Sequence, residues 1–170
     1  MAYFQLLLIN IFPALVIVAG LKDVTSFTIP NWISGVLILG FFVAAPTVGL
    51  PIQAIGAHAV VGVGALVAAI GMFAAGWIGG GDAKLFAAAG LWLGPEAVGP
   101  FVIITALAGG GLAVALLQFR AGWVRDVVPS GPRWVERLRE PKGDAPYGVA
   151  IAAGALAAYP TGALVALALG

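Results

Sequence analysis

Cysteine is absent from the 170 residues. That excludes disulfides, thiolate zinc sites and a cysteine nucleophile. Charge is nearly as scarce: Asp, Glu, Lys and Arg make up 9% of the chain, against roughly 25% in a soluble domain. The net charge of +1 implies neither a nucleic-acid partner nor a strongly acidic substrate. The spacing of a phosphate-binding loop, GxxxxGK[ST], is missing. The first apolar run has no basic leader and no small-residue cleavage site, so it reads as a span and not as a removable signal peptide. What the chain has instead is apolar surface: 62% of residues are hydrophobic and mean hydropathy is +1.09. These numbers describe an all-α integral membrane protein. Its length suits one polytopic domain, residues 1–170, with about six spans of ~20 residues each plus loops.

Taken in order, a first span covers about 2–21, with Pro13 expected to kink it, and ends at Lys22–Asp23. The connector 24–31 closes at Pro30, which disfavours helix at Ile29 and can open the next helix. A second span runs from about 31 to 45 and stops in a turn marked by Pro46, Gly49 and Pro51. A third, about 55–78, leads to a triple glycine. A fourth, about 83–93, stops at Gly94-Pro95-Glu96, and a fifth, about 98–119, carries three consecutive glycines that permit close helix packing. A polar loop, 120–145, precedes a sixth span at about 146–169. Its Trp123 and Trp134 suggest a part lying on the membrane.

In this arrangement all eight basic residues fall on one side: Lys22, Lys84, Arg120, Arg125, Arg133, Arg137, Arg139 and Lys142. The positive-inside rule makes that side, and the 120–145 loop, cytoplasmic, with both termini outside. Of the acids only Glu96 lies on the far side.

The chemistry concentrates at Gly79-Gly80-Gly81-Asp82-Ala83-Lys84. A charge at bilayer depth costs at least ~2.5–3.5 kcal/mol, so an acid there is functional by default. Three glycines leave the backbone open to close approach by another chain, which suits a site that grips an extended peptide. The fourth span is short, ~18 Å at 1.5 Å per residue against a ~30 Å hydrocarbon core. Either the helix continues past Pro95 or Asp82 lies below the cytoplasmic surface in a water-reachable cavity; the cavity is the favoured reading, with Lys84 snorkelling or pairing with a carboxylate. Asp23 ends its span on the same face. Two neighbouring carboxylates titrate in two steps, which provides one ionised and one protonated partner, the minimum equipment of an aspartyl protease.

Three stretches carry a resemblance. They are Asp23 followed by Ile29-Pro30-Asn31-Trp32; Gly79-Gly80-Gly81-Asp82-Ala83-Lys84; and Pro146-Tyr147-Gly148-Val149-Ala150-Ile151-Ala152. In this order, over nearly the whole length, the chain resembles the type IV prepilin peptidases, membrane aspartyl proteases of the GxGD class. The resemblance implies that Asp23 and Asp82 are the catalytic pair. It also implies that the substrate is a prepilin or prepilin-like protein, whose short basic leader is removed at the cytoplasmic face of a bacterial inner membrane. Other pilus-assembly proteins are possible partners, and no cofactor or metal is expected. The chain looks most like the short branch serving tight-adherence (Flp-type) pili. It lacks the soluble, cysteine-bearing N-terminal domain of the larger bifunctional members, so peptidase activity without N-methylation is expected. The connector 24–28 also lacks the basic residues that many members carry there.

Gly79, Gly80, Gly81, Lys84, Asn31 and Tyr147 are the candidate supporting or substrate-binding residues. Each has a plainer alternative. Asp82 suits an N-cap, Asp23 an interfacial pair with Lys22, Asn31 a cap or hydrogen-bond donor, and Tyr147 an interface aromatic. His58 reads as packed near the outer end of the third span. Two other functions compete: a small transporter or channel using the acids as ion sites, although no repeat relates the halves, and a non-catalytic subunit of a pilus-assembly platform.

Overall fold

A computed structural model describes residues 2–121, 131–140, 143 and 145–169. Among them there is no β-strand. The helices are α1 (Ala2–Ser26), α2 (Asn31–Thr47), α3 (Ile52–Ala74), α4 (Gly80–Phe119), α5 (Arg133–Arg139), α6 (Tyr147–Ala158) and α7 (Ala163–Leu169), with a 3-10 turn at Tyr159–Thr161 between the last two. Three stretches are long and apolar enough to cross a membrane: Tyr3–Ser26, Ile52–Ala74 and Gly80–Phe119. The bent pair Tyr147–Thr161 and Ala163–Leu169 makes a fourth if counted as one span, and Asn31–Thr47 is apolar but shorter.

α4 has 40 residues, ~60 Å of helix at 1.5 Å per residue, twice the thickness of a hydrocarbon core. It does not run straight. Gly94 has φ 64° and ψ −171°, a backbone that side-chain-bearing residues avoid. The rings of Phe86 and Phe101, on opposite sides of that break, stand 4.9 Å apart. In a continuous helix they would be ~22 Å apart, so the chain doubles back at Gly94. The two arms of α4 pack mainly on α3 and α6.

Prolines decide two further details. α1 continues through Pro13, where a kink was expected. A proline leaves the carbonyl four residues before it without a donor, here that of Ile9, and the Tyr159 hydroxyl donates to this carbonyl at 2.6 Å. The same logic holds at the hairpin. Pro95 deprives Leu91 of its donor, and His58 Nδ1 lies 2.9 Å from the Leu91 carbonyl. An unpaired backbone carbonyl in an apolar setting costs several kcal/mol, so these side chains replace the missing backbone donors. The last segment is not one helix: Tyr147–Thr161 and Ala163–Leu169 meet at 47°. The break falls at Gly162, whose ψ of 151° is extended, and Pro160 ends the regular helix at Ala158 because its ring would clash with the carbonyl of Leu156 in a continuous helix.

Other boundaries shift by a turn. α1 extends past Lys22–Asp23 to Ser26, and α3 stops at Ala74. Residues 75–79 are a turn containing Gly76 at φ 73°. Within the 120–145 loop, the described residues include α5, docked by Arg120 Nε donating to the Leu138 carbonyl at 2.9 Å. Trp123, Arg125, Pro129 and Lys142 lie outside the described residues.

The core is aromatic in the half nearest the hairpin. Phe12 stacks on Trp92 with centroids 5.3 Å apart and meets Tyr159 at 4.8 Å. Phe41 contacts Trp92 and His58. Trp92, fully buried, donates from Nε1 to the Leu37 carbonyl at 2.7 Å, so its polar edge is satisfied as well.

Candidate active site

The opposite half gathers the end of α1, the start of α4 and the start of α6. Asp23 enters from the last turns of α1, which carry it past the expected end of the span. Asp82 stands in the first turn of α4, where an acid is favoured by the helix dipole. It is the third residue of that helix, not the N-cap, and its Oδ2 reaches back to accept the N–H of Gly79 at 3.0 Å. Both acids are almost fully buried. Both line one cavity of about 430 Å³, together with Phe27, Trp77, Gly79, Gly143, Ala145 and Tyr147.

Between them lies Gly148. Its N–H donates to Asp23 Oδ2 at 2.7 Å and also faces the Asp82 carboxylate. The two carboxylates are near enough to act on each other electrostatically. A Cβ at Gly148 would stand 2.8 Å from both Asp23 Oδ2 and Ile29 Cδ1, so only glycine admits this approach. Gly148 lies in the Pro146–Ala152 stretch singled out above, but it was not among the candidate site residues. A bare glycine advertises no chemistry until its neighbours are known. Phe27 is the other addition. It holds φ 54°, a left-handed backbone that costs a non-glycine residue ~1–2 kcal/mol, and its ring forms part of the cavity wall with the Arg137 guanidinium 5.0 Å above it.

The remaining candidates divide. Gly79 and Tyr147 line the cavity. A Cβ at Gly81 would meet Ile29 at 3.1 Å, so Gly81 joins the Ile29–Pro30 segment to the start of α4. Gly80 faces Phe73. Lys84 and Asn31 pair with one another outside the cavity: Lys84 Nζ donates to Asn31 Oδ1 at 2.8 Å, at an exposed position. Lys84 therefore needs no carboxylate partner, and Asn31 acts as acceptor; α2 begins at Asn31 itself, with Pro30 before it as the capping residue.

One oxygen stands out chemically. Asp82 Oδ1 is buried and has no hydrogen-bond partner, while the other oxygen of that carboxylate is held by Gly79. Buried polar atoms are nearly always paired, so Oδ1 keeps acceptor capacity that the protein itself does not use. Among the described residues no three His, Cys, Asp or Glu side chains converge as metal ligands would.

Fold and site together define a bundle of long apolar helices with two acids turned into one cavity. The family model described as the type IV leader peptidase family matches residues 10–114, more than half of the 170, and the chain belongs to that family. The matched region contains both acids and the α4 hairpin. Membership of a peptidase family and the apolar helices together point to a membrane-embedded protease. No curated protein and no solved structure matches the chain.

Proposed function

We propose that the protein is an aspartic endopeptidase that removes the leader of type IV prepilins, with Asp23 and Asp82 as its catalytic pair. The observation that carries this reading is the shared cavity: two acids far apart in sequence meet around the single N–H of Gly148. In the mechanism one carboxylate is ionised and takes a proton from water as its oxygen attacks the scissile carbonyl carbon. The other is protonated and donates to the carbonyl oxygen, stabilising the charge that develops there. The tetrahedral diol then collapses, the C–N bond breaks, and the leaving amine takes up a proton from the dyad. The backbone N–H donors of Gly79 and Gly148 hold one oxygen of each acid, so the remaining oxygens are oriented toward water and substrate. The free Oδ1 of Asp82 suits contact with either.

The membrane setting follows the same reading. Counting the two arms of α4 separately, taking α2 as a short span and α6–α7 as one bent span, gives six. The acids then lie at the basic, cytoplasmic end of an inner-membrane protein whose termini are outside. The substrate is of the Flp type, and other pilus-assembly proteins are its neighbours. Hydrolysis occurs without methylation of the new N-terminus.

The test is processing of a prepilin by Asp23→Asn and Asp82→Asn variants, with expression and folding checked separately. Loss of cleavage in both is expected, whereas cleavage surviving in both returns the acids to ion binding or assembly. Mass spectrometry of the product reports the methyl group directly.

A further inference from the structure

A second, larger hollow adjoins the carboxylate cavity. It has a volume of about 800 Å³ and lies between α3, the second arm of α4 and α6. It shares Trp77, Ile78 and Tyr147 with the carboxylate cavity, so the two lie side by side. Its length follows from its walls: Val61 to Met72 on α3 covers ~17 Å, and Val98 to Ala113 on α4 ~22 Å, at 1.5 Å per residue. About half of its lining residues are small, among them Gly64 and Ala68 on α3 and Ala106 and Gly110 on α4. We infer that this groove is the docking site for the apolar helix of the substrate, on the C-terminal side of the scissile bond. The inference rests on the proposed peptidase function.

The observations favour this occupant in three ways. The groove begins at the acids and leads away from them, as a helix that starts just after the cleaved bond must. Its length takes roughly three to four turns of helix. Its small-residue walls allow close approach of helix backbones, the usual basis of helix association in a bilayer. A lipid tail would need no polar cavity at its end. A second copy meeting it symmetrically through the same face would offer the same hollow and not a ridge to fill it.

Two glycines make the inference testable. A Cβ at Gly64 or Gly110 would meet nothing within 4 Å, so leucine fits at either position in the free protein, and leucine favours helix over glycine. Either leucine would project into the space that the docked helix needs. Gly111 is equally open but does not line the groove, and serves as control.

The substrates are a synthetic prepilin with a polar leader joined to a ~20-residue apolar helix, and the same leader junction cut back to about one helical turn. Gly64→Leu and Gly110→Leu are expected to slow cleavage of the long substrate about tenfold or more and to leave the short one unchanged. Gly111→Leu should leave both unchanged. A second readout is independent of turnover. The chain has no cysteine, so a single cysteine placed at Ala68 or Gly110 in the Asp82→Asn protein should form a disulfide with a cysteine in the substrate helix, and one at Gly111 should not.

Undiminished cleavage of the long substrate by both groove variants, with no disulfide, overturns the inference and leaves the groove to lipid. Disulfides between two copies of the chain overturn it in favour of self-association. Equal slowing of both substrates also overturns it, by locating the defect at the acids. Cleavage that survives Asp23→Asn and Asp82→Asn sinks the assignment of the two acids as the catalytic pair instead, and the disulfide pattern still reports where the helix docks.

Discussion

The two ends of this bundle treat buried polar groups in opposite ways. At the hairpin end, His58, Trp92 and Tyr159 are polar or partly polar side chains set among aromatic rings, and each contacts a backbone carbonyl: Leu91, Leu37 and Ile9 respectively. Two of those carbonyls are ones that proline had left without a donor. At the other end, Asp23 and Asp82 are as deeply buried, yet they face a cavity, and one oxygen of Asp82 has no partner. Burial alone therefore does not mark a functional group. What marks it is burial beside open space: His58 Nε2 also has no hydrogen-bond partner, but it lies 3.7 Å from Glu96 Oε2 and lines neither cavity.

The sharpest way to break this contrast is to neutralise the acids. Asp23→Asn or Asp82→Asn should lower prepilin cleavage roughly 100- to 10,000-fold, followed on gels, with little change in the thermal midpoint of the purified protein. Next in size is Gly148→Ala. The added methyl would lie 2.8 Å from Asp23 Oδ2, and a displacement on the order of 1 Å at a catalytic group costs about 100-fold in rate.

The hairpin end should respond in stability and not in chemistry. His58→Leu removes the partner of the Leu91 carbonyl and should cost about 1–3 kcal/mol, measured by unfolding in detergent, while cleavage per folded molecule is retained. A folded His58→Leu protein without activity would show that the division between the ends is false. Tyr159→Phe deletes the hydroxyl that serves Ile9 and should cost about 1 kcal/mol. Smallest is Lys84→Met. That side chain is exposed and bonds to Asn31 outside the cavity, so stability should shift by less than about 0.5 kcal/mol, and cleavage should persist.

How much of this was legible in the chain differs by feature. Hydropathy and the proline and glycine breaks reveal the helices, including the stop at Gly94-Pro95, because those signals are local. The two acids are legible because charge is so rare here that any acid inside an apolar stretch stands out. The break that follows Pro160 at Gly162 has an equally local signal, but it sits inside an otherwise apolar run that reads as one span. Other features depend on tertiary contact. That Tyr159 would complete a break at Pro13, or that Gly148 would bring its amide between two carboxylates, follows only once α6 packs beside α1. The left-handed Phe27 is invisible for a related reason: nothing in an aromatic residue announces φ above zero, and its strain is sustained by its surroundings. Of the two expectations for Lys84, snorkelling or pairing with a carboxylate, its exposed position and its bond to Asn31 fit the first, and that partner, 53 positions away, is set by tertiary packing.

The donors that complete the two proline breaks arrive at different times as the chain is made. His58 precedes Leu91 in the sequence, so the hairpin can be completed as soon as it forms. Tyr159 follows Ile9 by almost the whole chain. Until the final helix is in place, the first one holds an open carbonyl within an apolar environment. Shortened chains ending before Tyr159 should consequently leave the first helix loosely seated and open to quality-control proteases, even with both acids and their cavity walls already synthesised.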